Sequence, residues 1–394
     1  MSHAPRIVVT GVGLHTGHGD TQATWTAIGE NRSALTCLHP WNEASAGLAF
    51  PAVAAPEPSP VEFLADRKSV KYMGPCTQMA VLAAGRALRD AGLLPAHAAA
   101  EREAMALFLA TGPIAFDVEG ALSSFGEDGA ADLLALRHEG LRRCHPLLPF
   151  KMLLNMPLGL VSIVFGIKGP NFILYPSAEQ GACVLGHALR GLRQGRFTRA
   201  LVGGSACTLG LAPIMHLRRA GRLAGSVDQA QPFSDRHAGW APADQAAFLV
   251  LETEAEAARR GQTAYAHLDG AQVLGAGAVD RMWAAFAPAE APEILFRTGS
   301  LAAADLHAER ARARARWAVP ATLASADGLL GVAPAASFLL ATALACLSLR
   351  QGHVPASLAE DRAVRAVERV LVAFSDGQGA AAARLSSHGS EVAS

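Results

Sequence analysis

The chain has no surplus of charge of either sign. Against 34 Lys and Arg stand 34 Asp and Glu in 394 residues, with 14 His besides. A balanced chain carries no electrostatic footprint for nucleic acid or for an anionic bilayer, so neither is expected as a partner. Charge of any kind is scarce, 17% against 51% hydrophobic residues, which excludes a disordered chain and implies a large core. So little polar material also suggests that part of the surface is covered by another subunit. The six cysteines (Cys37, Cys76, Cys144, Cys183, Cys207 and Cys346) include no CxxC pair and no zinc spacing with His, so no metal site is expected. Their scatter fits a reducing, cytoplasmic setting, and the opening MSHAPRIVVT lacks a basic leader followed by a long apolar run. The longest uncharged run, the 22 residues from Gly328 to Leu349, has the length of a membrane span. The run is rich in Ala, Gly, Ser and Thr, with Pro334 near its start, and reads as a buried helix of a globular protein.

What is present alternates strands and helices. Arg6 to Thr10 is a β-branched strand expected to end in a tight turn at Gly11-Val12-Gly13. Helical spacing runs from Pro75 to Gly92 and from Gly181 to Arg196. Strands are expected at Ala104 to Ala110, Phe172 to Leu174, Arg199 to Gly203, Ala246 to Glu252, Ala264 to Gly270 and Val367 to Phe374. Such alternation predicts an α/β protein with a largely parallel sheet covered by helices. The composition shifts near Arg259-Arg260-Gly261, which divides the chain into residues 1–258 and 259–394. Pro40 to Pro60 and Glu119 to Ala131 read as exposed loops.

Several segments resemble, in order and spacing, the β-ketoacyl-acyl carrier protein synthases. They are Val8 to Gly13 (VVTGVG), Phe165 to Asn171 (FGIKGPN), Ala200 to Ser205 (ALVGGS), Gln231 to Gly239 (QPFSDRHAG), Gly328 to Gly331 (GLLG) and Gly352 to Pro355 (GHVP). The resemblance spans nearly the whole chain. It implies the thiolase-like fold, two similar halves in a five-layer αβαβα arrangement, and it implies a dimer.

The same resemblance locates what has changed. The family's nucleophilic cysteine stands nine residues after the Gly of a Gly-Pro pair and eight before the Gly of Gly-His-Ala. Counted from Gly169 and from Gly186, both paths meet at Ala178. A ketosynthase needs a thiolate at a helix N-terminus, where the dipole and backbone N–H groups lower its pKa, and a methyl group cannot serve. Cys183, a turn further along, reads as an ordinary buried cysteine. The first family histidine is matched to Arg297, which cannot exchange a proton near neutral pH, and His307 reads as a surface residue of a helix from Asp305 to Trp317. Gly328 takes the place of the second histidine and Leu323 that of the lysine five residues before it, while Asp376 takes the place of a gating phenylalanine just after Phe374.

Four replacements with intact flanks point to lost condensing chemistry on a retained fold. The leading expectation is a non-catalytic subunit, resembling a chain-length factor, that pairs with an active ketosynthase in fatty-acid or polyketide biosynthesis and meets an acyl carrier protein. Asp117 to Met156 would contribute interface and tunnel wall. Many chain-length factors carry glutamine at the cysteine position, whereas here Gln180 stands two residues beyond Ala178. Two alternatives remain: a divergent enzyme doing decarboxylation or acyl transfer with Glu179, Gln180 or Arg297, and an acyl-binding homodimer without turnover. Glu179 and Gln180, with Phe374 and Asp376, could line a remnant pocket, although a polar pair at a helix start also reads as a cap. No cofactor is expected. His15, His18, His237 and His267 read as structural or surface residues, and the arginines of Glu309 to Arg316, like Arg190, Arg193 and Arg196, as solvated faces or carrier-protein contacts.

Overall fold

The computed structural model describes residues 4–38, 49–94, 99–112, 130, 132–140, 142, 146–175, 179–275, 291–317, 321–376 and 379–387. Ten strands join in one hydrogen-bonded order. The first five are β1 (Ile7–His15), β2 (Ala106–Thr111), β3 (Asn171–Leu174), β4 (Arg199–Ala206) and β5 (Gln245–Thr253). The other five are β6 (Ala266–Gly275), β7 (Ile294–Thr298), β8 (Thr322–Ala324), β9 (Arg369–Ser375) and β10 (Gly379–Ser386). Across the sheet they run β8-β7-β9-β10-β6-β1-β5-β4-β2-β3, so each half repeats one order: third, second, fourth, fifth, first. In both halves the second strand is parallel to the third and fourth, and the fifth is antiparallel to its neighbours. The halves meet where β1 pairs with β6, at Val8↔His267 and Val9↔Ala266.

Helices cover both faces, which is why β2, β4 and β5 are apolar along almost their whole length instead of alternating. α1 (Pro75–Asp90) and α2 (Met156–Phe165) pack outside the first half, in a core with Leu107, Leu109, Leu201, Phe248 and Val250. α3 (Gln180–Arg193) and α5 (Ser337–Gln351) share the central core with strands of both halves. α4 (Ala303–Arg316) lies outside the second half, where Ala313 packs with Leu295, Leu323 and Leu371. The five expected layers are therefore present, with the two sheets joined at one seam.

Some expectations are corrected. The sheet is mixed and not largely parallel, with five of its nine strand pairings antiparallel. β1 does not turn at Gly11-Val12-Gly13 but continues to His15, with a register shift between Val9 and Gly11. The glycines are needed because α1 lies on the strand: a Cβ at Gly13 would stand 2.1 Å from the Ala83 carbonyl oxygen. Within the expected loop from Pro40 to Pro60, Phe50–Ala52 is a buried strand paired with Thr36–Leu38. The loop expected from Glu119 to Ala131 falls, apart from Ala130, outside the described residues. The uncharged run splits into a one-turn helix, Asp327–Leu330, and α5. Among the described residues, no helix is long and apolar enough to cross a membrane.

Candidate functional site

The start of α3 is the natural place to look for chemistry, because the unpaired N–H groups of a helix end converge there. Glu179 is the residue before the helix, and its side chain makes no cap hydrogen bond, so the capping reading fails for it. Its carboxylate lies instead against β10: a Cβ built on Gly379 would be 3.1 Å from Glu179 Cδ and 3.3 Å from Oε2. The Gly379 N–H donates to Asp376 Oδ1 at 3.0 Å. The other carboxylate oxygen of buried Asp376 accepts from Arg222 at 2.7 Å, and the Arg222 guanidinium lies 5.2 Å from the centre of the Trp240 ring. An ion pair thus clamps Asp376 to a loop more than 150 positions earlier. Gln180 opens α3 itself.

Strand alternation decides which candidates meet. Along β7 and β9, Ile294, Phe296, Val370, Val372 and Phe374 face the central helices, whereas Leu295, Leu371 and Ala373 face α4. Arg297 shares the second face. It is fully buried, forms an ion pair with Glu309 of α4, and donates to Ser375 Oγ at 3.3 Å, while Ser375 donates to Glu309 Oε1 at 3.2 Å. Leu323 is on that face too, in the apolar cluster with Trp317. Arg297 and Leu323 therefore point away from α3, one step of strand alternation from the face that Phe296 shares with the central helices.

The next residue, Thr298, is on the opposite face of the strand from Arg297. It donates to Asp327 Oδ1 at 2.8 Å, and the Gly299 N–H donates to Asp327 Oδ2 at 2.8 Å. Gly299 has φ +77°, and a Cβ there would be 2.2 Å from the Phe374 ring, so only glycine allows this loop to fold under Phe374. Gly328 follows Asp327, and a Cβ on it would stand 2.4 Å from Gln231 Oε1, whose amide donates to the Gly328 carbonyl at 3.0 Å. The space for a side chain at 328 is filled. Among the candidates, Glu179 lies against Gly379, whose N–H bonds Asp376, while Phe374 covers Gly299, whose N–H bonds the Asp327 that precedes Gly328. Ala178 itself lies outside the described residues.

The sequence reading missed Arg222, Thr298 and Asp327. Asp327 had a signal, as a lone acid directly preceding the uncharged run, whereas Arg222 is brought in only by the fold. Burial raises the Asp327 carboxyl from 3.8 to about 6, opposed by the bonds from Gly299 and Thr298 and by the Arg297 charge. A raised folded pKa means stability that is complete below the unfolded value and is lost as pH rises through about 6. The displacement corresponds to about 3 kcal/mol. Asp327→Asn keeps an acceptor for Gly299 and removes the titration. Its unfolding free energy relative to the parent should rise by about that amount between pH 4 and pH 8, measured by urea titration; parallel pH curves would contradict the assignment.

The described histidines are structural or peripheral. His237 bonds the Gln229 and Ser300 carbonyls at 2.9 and 3.1 Å, His15 bonds the Pro56 carbonyl at 3.0 Å, and His307 is exposed on α4. Cys183 is half-buried in α3, where burial and Glu179 push its thiol up, the wrong direction for a nucleophile. Among the described residues, no three His, Cys, Asp or Glu side chains gather as metal ligands.

The paired halves around two central helices define a thiolase-like ketosynthase fold. Residues 4–257 match the family described as β-ketoacyl synthase, N-terminal domain, and the chain belongs to the β-ketoacyl synthase family. It is 27% identical over 272 residues to 3-oxoacyl-[acyl-carrier-protein] synthase 2 of Synechocystis sp., a match covering 67% of this chain and 62% of that protein. It is similar in fold to the ishigamide ketosynthase/chain length factor, with 18% identity, coverage of 98% of this chain and 100% of that one, and a TM-score of 0.80. A type II polyketide acyl-carrier protein in complex with its hexaketide-bound ketosynthase gives 18% identity, 98% and 100% coverage and a TM-score of 0.76.

Proposed function

We propose that this chain is a non-catalytic ketosynthase-like subunit, of the chain-length-factor kind, that pairs with an active ketosynthase in type II fatty-acid or polyketide biosynthesis. The partner supplies thiol and imidazoles, and an acyl carrier protein delivers the chain. The observation that carries this reading is the alanine at 178, two positions before Gln180 in sequence, at the position matched to the family's thiol. Packing supports it, because the space at Gly328 is taken by Gln231, and Asp327 and Asp376 are committed to Thr298, Gly299, Arg222 and Gly379. Such bonds hold a surface in shape; they do not present a free base.

Pairing is supported by the surface around α2 and β3. Leu133, Leu134, Phe150, Leu153 and Ile163 are exposed, Ile163 at 75%, and β3 is an edge strand with half its backbone groups unpaired in the sheet. This surface overlaps the described part of the expected interface segment from Asp117 to Met156, most of which lies outside the described residues. The enzyme alternative now rests on Glu179 and Gln180 without Arg297.

The test is co-expression with a ketosynthase encoded beside it. The pair should purify together, and the chain by itself should gain no mass on incubation with an acyl-pantetheine thioester. Ala178→Cys should gain the acyl mass yet leave malonyl-thioester decarboxylation at background, because Arg297 and Gly328 stand at the positions matched to the imidazoles that would stabilise the enolate. A homodimer of the unmodified chain that condenses acyl thioesters would overturn the proposal.

A further inference from the structure

At the far end of α3 from Glu179, the last turns of the helix and the first residues of β2 and β3 enclose a cavity of about 400 Å³. Its floor is aromatic. The Phe108 ring is 4.6 Å from that of Phe172 and 5.6 Å from that of Phe197, and His187 meets Phe172 edge-on at 5.0 Å. Gly191 makes this floor possible, since a Cβ there would be 2.3 Å from the Phe197 ring. Phe108 and Phe197 are buried, and Phe172 remains partly open to the cavity.

The rim is cationic. Arg190 and Arg196 both line the cavity and are exposed, and among the described residues neither side chain pairs with a carboxylate. Arg193, one turn from Arg190, is by contrast tied down by donating to the Asp269 carbonyl at 2.7 Å. Burial and the Arg190 charge lower the His187 pKa, which disfavours a third positive charge at this rim. The guanidinium groups of Arg190 and Arg196 on the rim and the tilted aromatic rings of the lining form a pair of subsites, one for negative charge and one for a flat apolar body.

We propose that this cavity binds an amphipathic anion, a flat aromatic group bearing a carboxylate or a phosphate, with its ring on Phe172 and its charge between Arg190 and Arg196. The volume is at the lower end of the about 300–1,000 Å³ of ligand pockets, which suits one or two fused rings. Nothing here depends on whether the chain catalyses condensation, because the cavity lies at the other end of the helix from position 178.

Isothermal titration of the protein, in the assembly in which it is isolated, tests the site with 1-naphthoate, 1-naphthyl phosphate, decanoate and uncharged 1-naphthalenemethanol. Both aromatic anions should bind saturably, and the tighter one identifies the headgroup. The alcohol should bind at least about tenfold more weakly, since a charge-assisted contact is worth about one decade. Decanoate should also be weaker, because a flexible chain loses the ring contact and more entropy. Arg190→Gln with Arg196→Gln should weaken both aromatic anions about 100-fold, and Phe172→Ala about tenfold. Both arginines are exposed, so the double variant should keep its thermal midpoint even if Phe172→Ala does not. The proposal is overturned if neither aromatic anion saturates below millimolar concentration, if the alcohol or decanoate binds as tightly, or if the double arginine variant keeps its affinity.

Discussion

A methyl group added at Gly204 is expected to destabilise the protein by about 3 kcal/mol or more, among the largest effects of any single substitution. A Cβ on this β4 residue would stand 2.1 Å from the Ala335 carbonyl oxygen and 3.1 Å from Ala336 Cα. Both contacts are with backbone, so no side chain can swing aside. Ala335 is already held at φ +75° at the turn into α5, and its carbonyl would also lie 3.0 Å from a Cβ on Gly181 of α3. The strand, the turn and the first turn of α3 therefore lock together through small residues, and this lock sets where Glu179 stands. Gly159→Ala in α2 is the control, with nothing within 4 Å of the added carbon. It should stabilise by up to about 1 kcal/mol through helix propensity. Urea midpoints of the two variants should move in opposite directions, and equal midpoints would contradict the packing described.

Breaking the Arg297–Glu309 pair is expected to cost about 3–5 kcal/mol, because either charge left by itself is stranded in the interior. Arg297→Met removes the cation that holds the Glu309 pKa down, while burial already pushes that carboxyl up. Its pKa then rises further. The loss should be largest at alkaline pH and should shrink as the pH falls and Glu309 takes up a proton. Arg297→Met with Glu309→Leu should recover most of the stability, since a well-packed apolar pair of similar volume is often neutral or better. Thermal unfolding of both single variants and the double variant at pH 5 and pH 8 checks this. An additive double variant, or a pH-independent loss, would show that the two charges do not share one buried site. The same measurements bear on function. Arg297 is a buried structural cation on the α4 face, so its removal should act on stability and not on pairing with a ketosynthase.

The architecture was legible because burial on both sides of a sheet leaves long apolar strands, and helices leave three- and four-residue spacing. The helix expected from Pro75 to Gly92 ends two residues earlier, at Asp90, and the resemblance implies two similar halves, whereas their repeated strand order is visible only in the structure. Errors arose where packing overrides local preference. Gly11-Val12-Gly13 looks like a turn, yet it is strand, because its glycines serve the approach of α1 and not a change of direction. The candidate site was legible by position but not by direction. Arg297 and Thr298 are neighbours in sequence, and a single step along a strand sends one to α4 and the other to Asp327.

By itself the sequence determined the fold family, through motif order, and the chemistry each position can offer, such as the methyl group of Ala178, since side-chain chemistry is fixed by the residue. Tertiary structure alone decided which polar groups share a surface. Arg222 reaches Asp376 across 154 positions, and Gln231 occupies the space beside Gly328. Such contacts depend on how layers stack and on which face of a strand a residue points to, and distances between remote segments leave no trace in local composition or period.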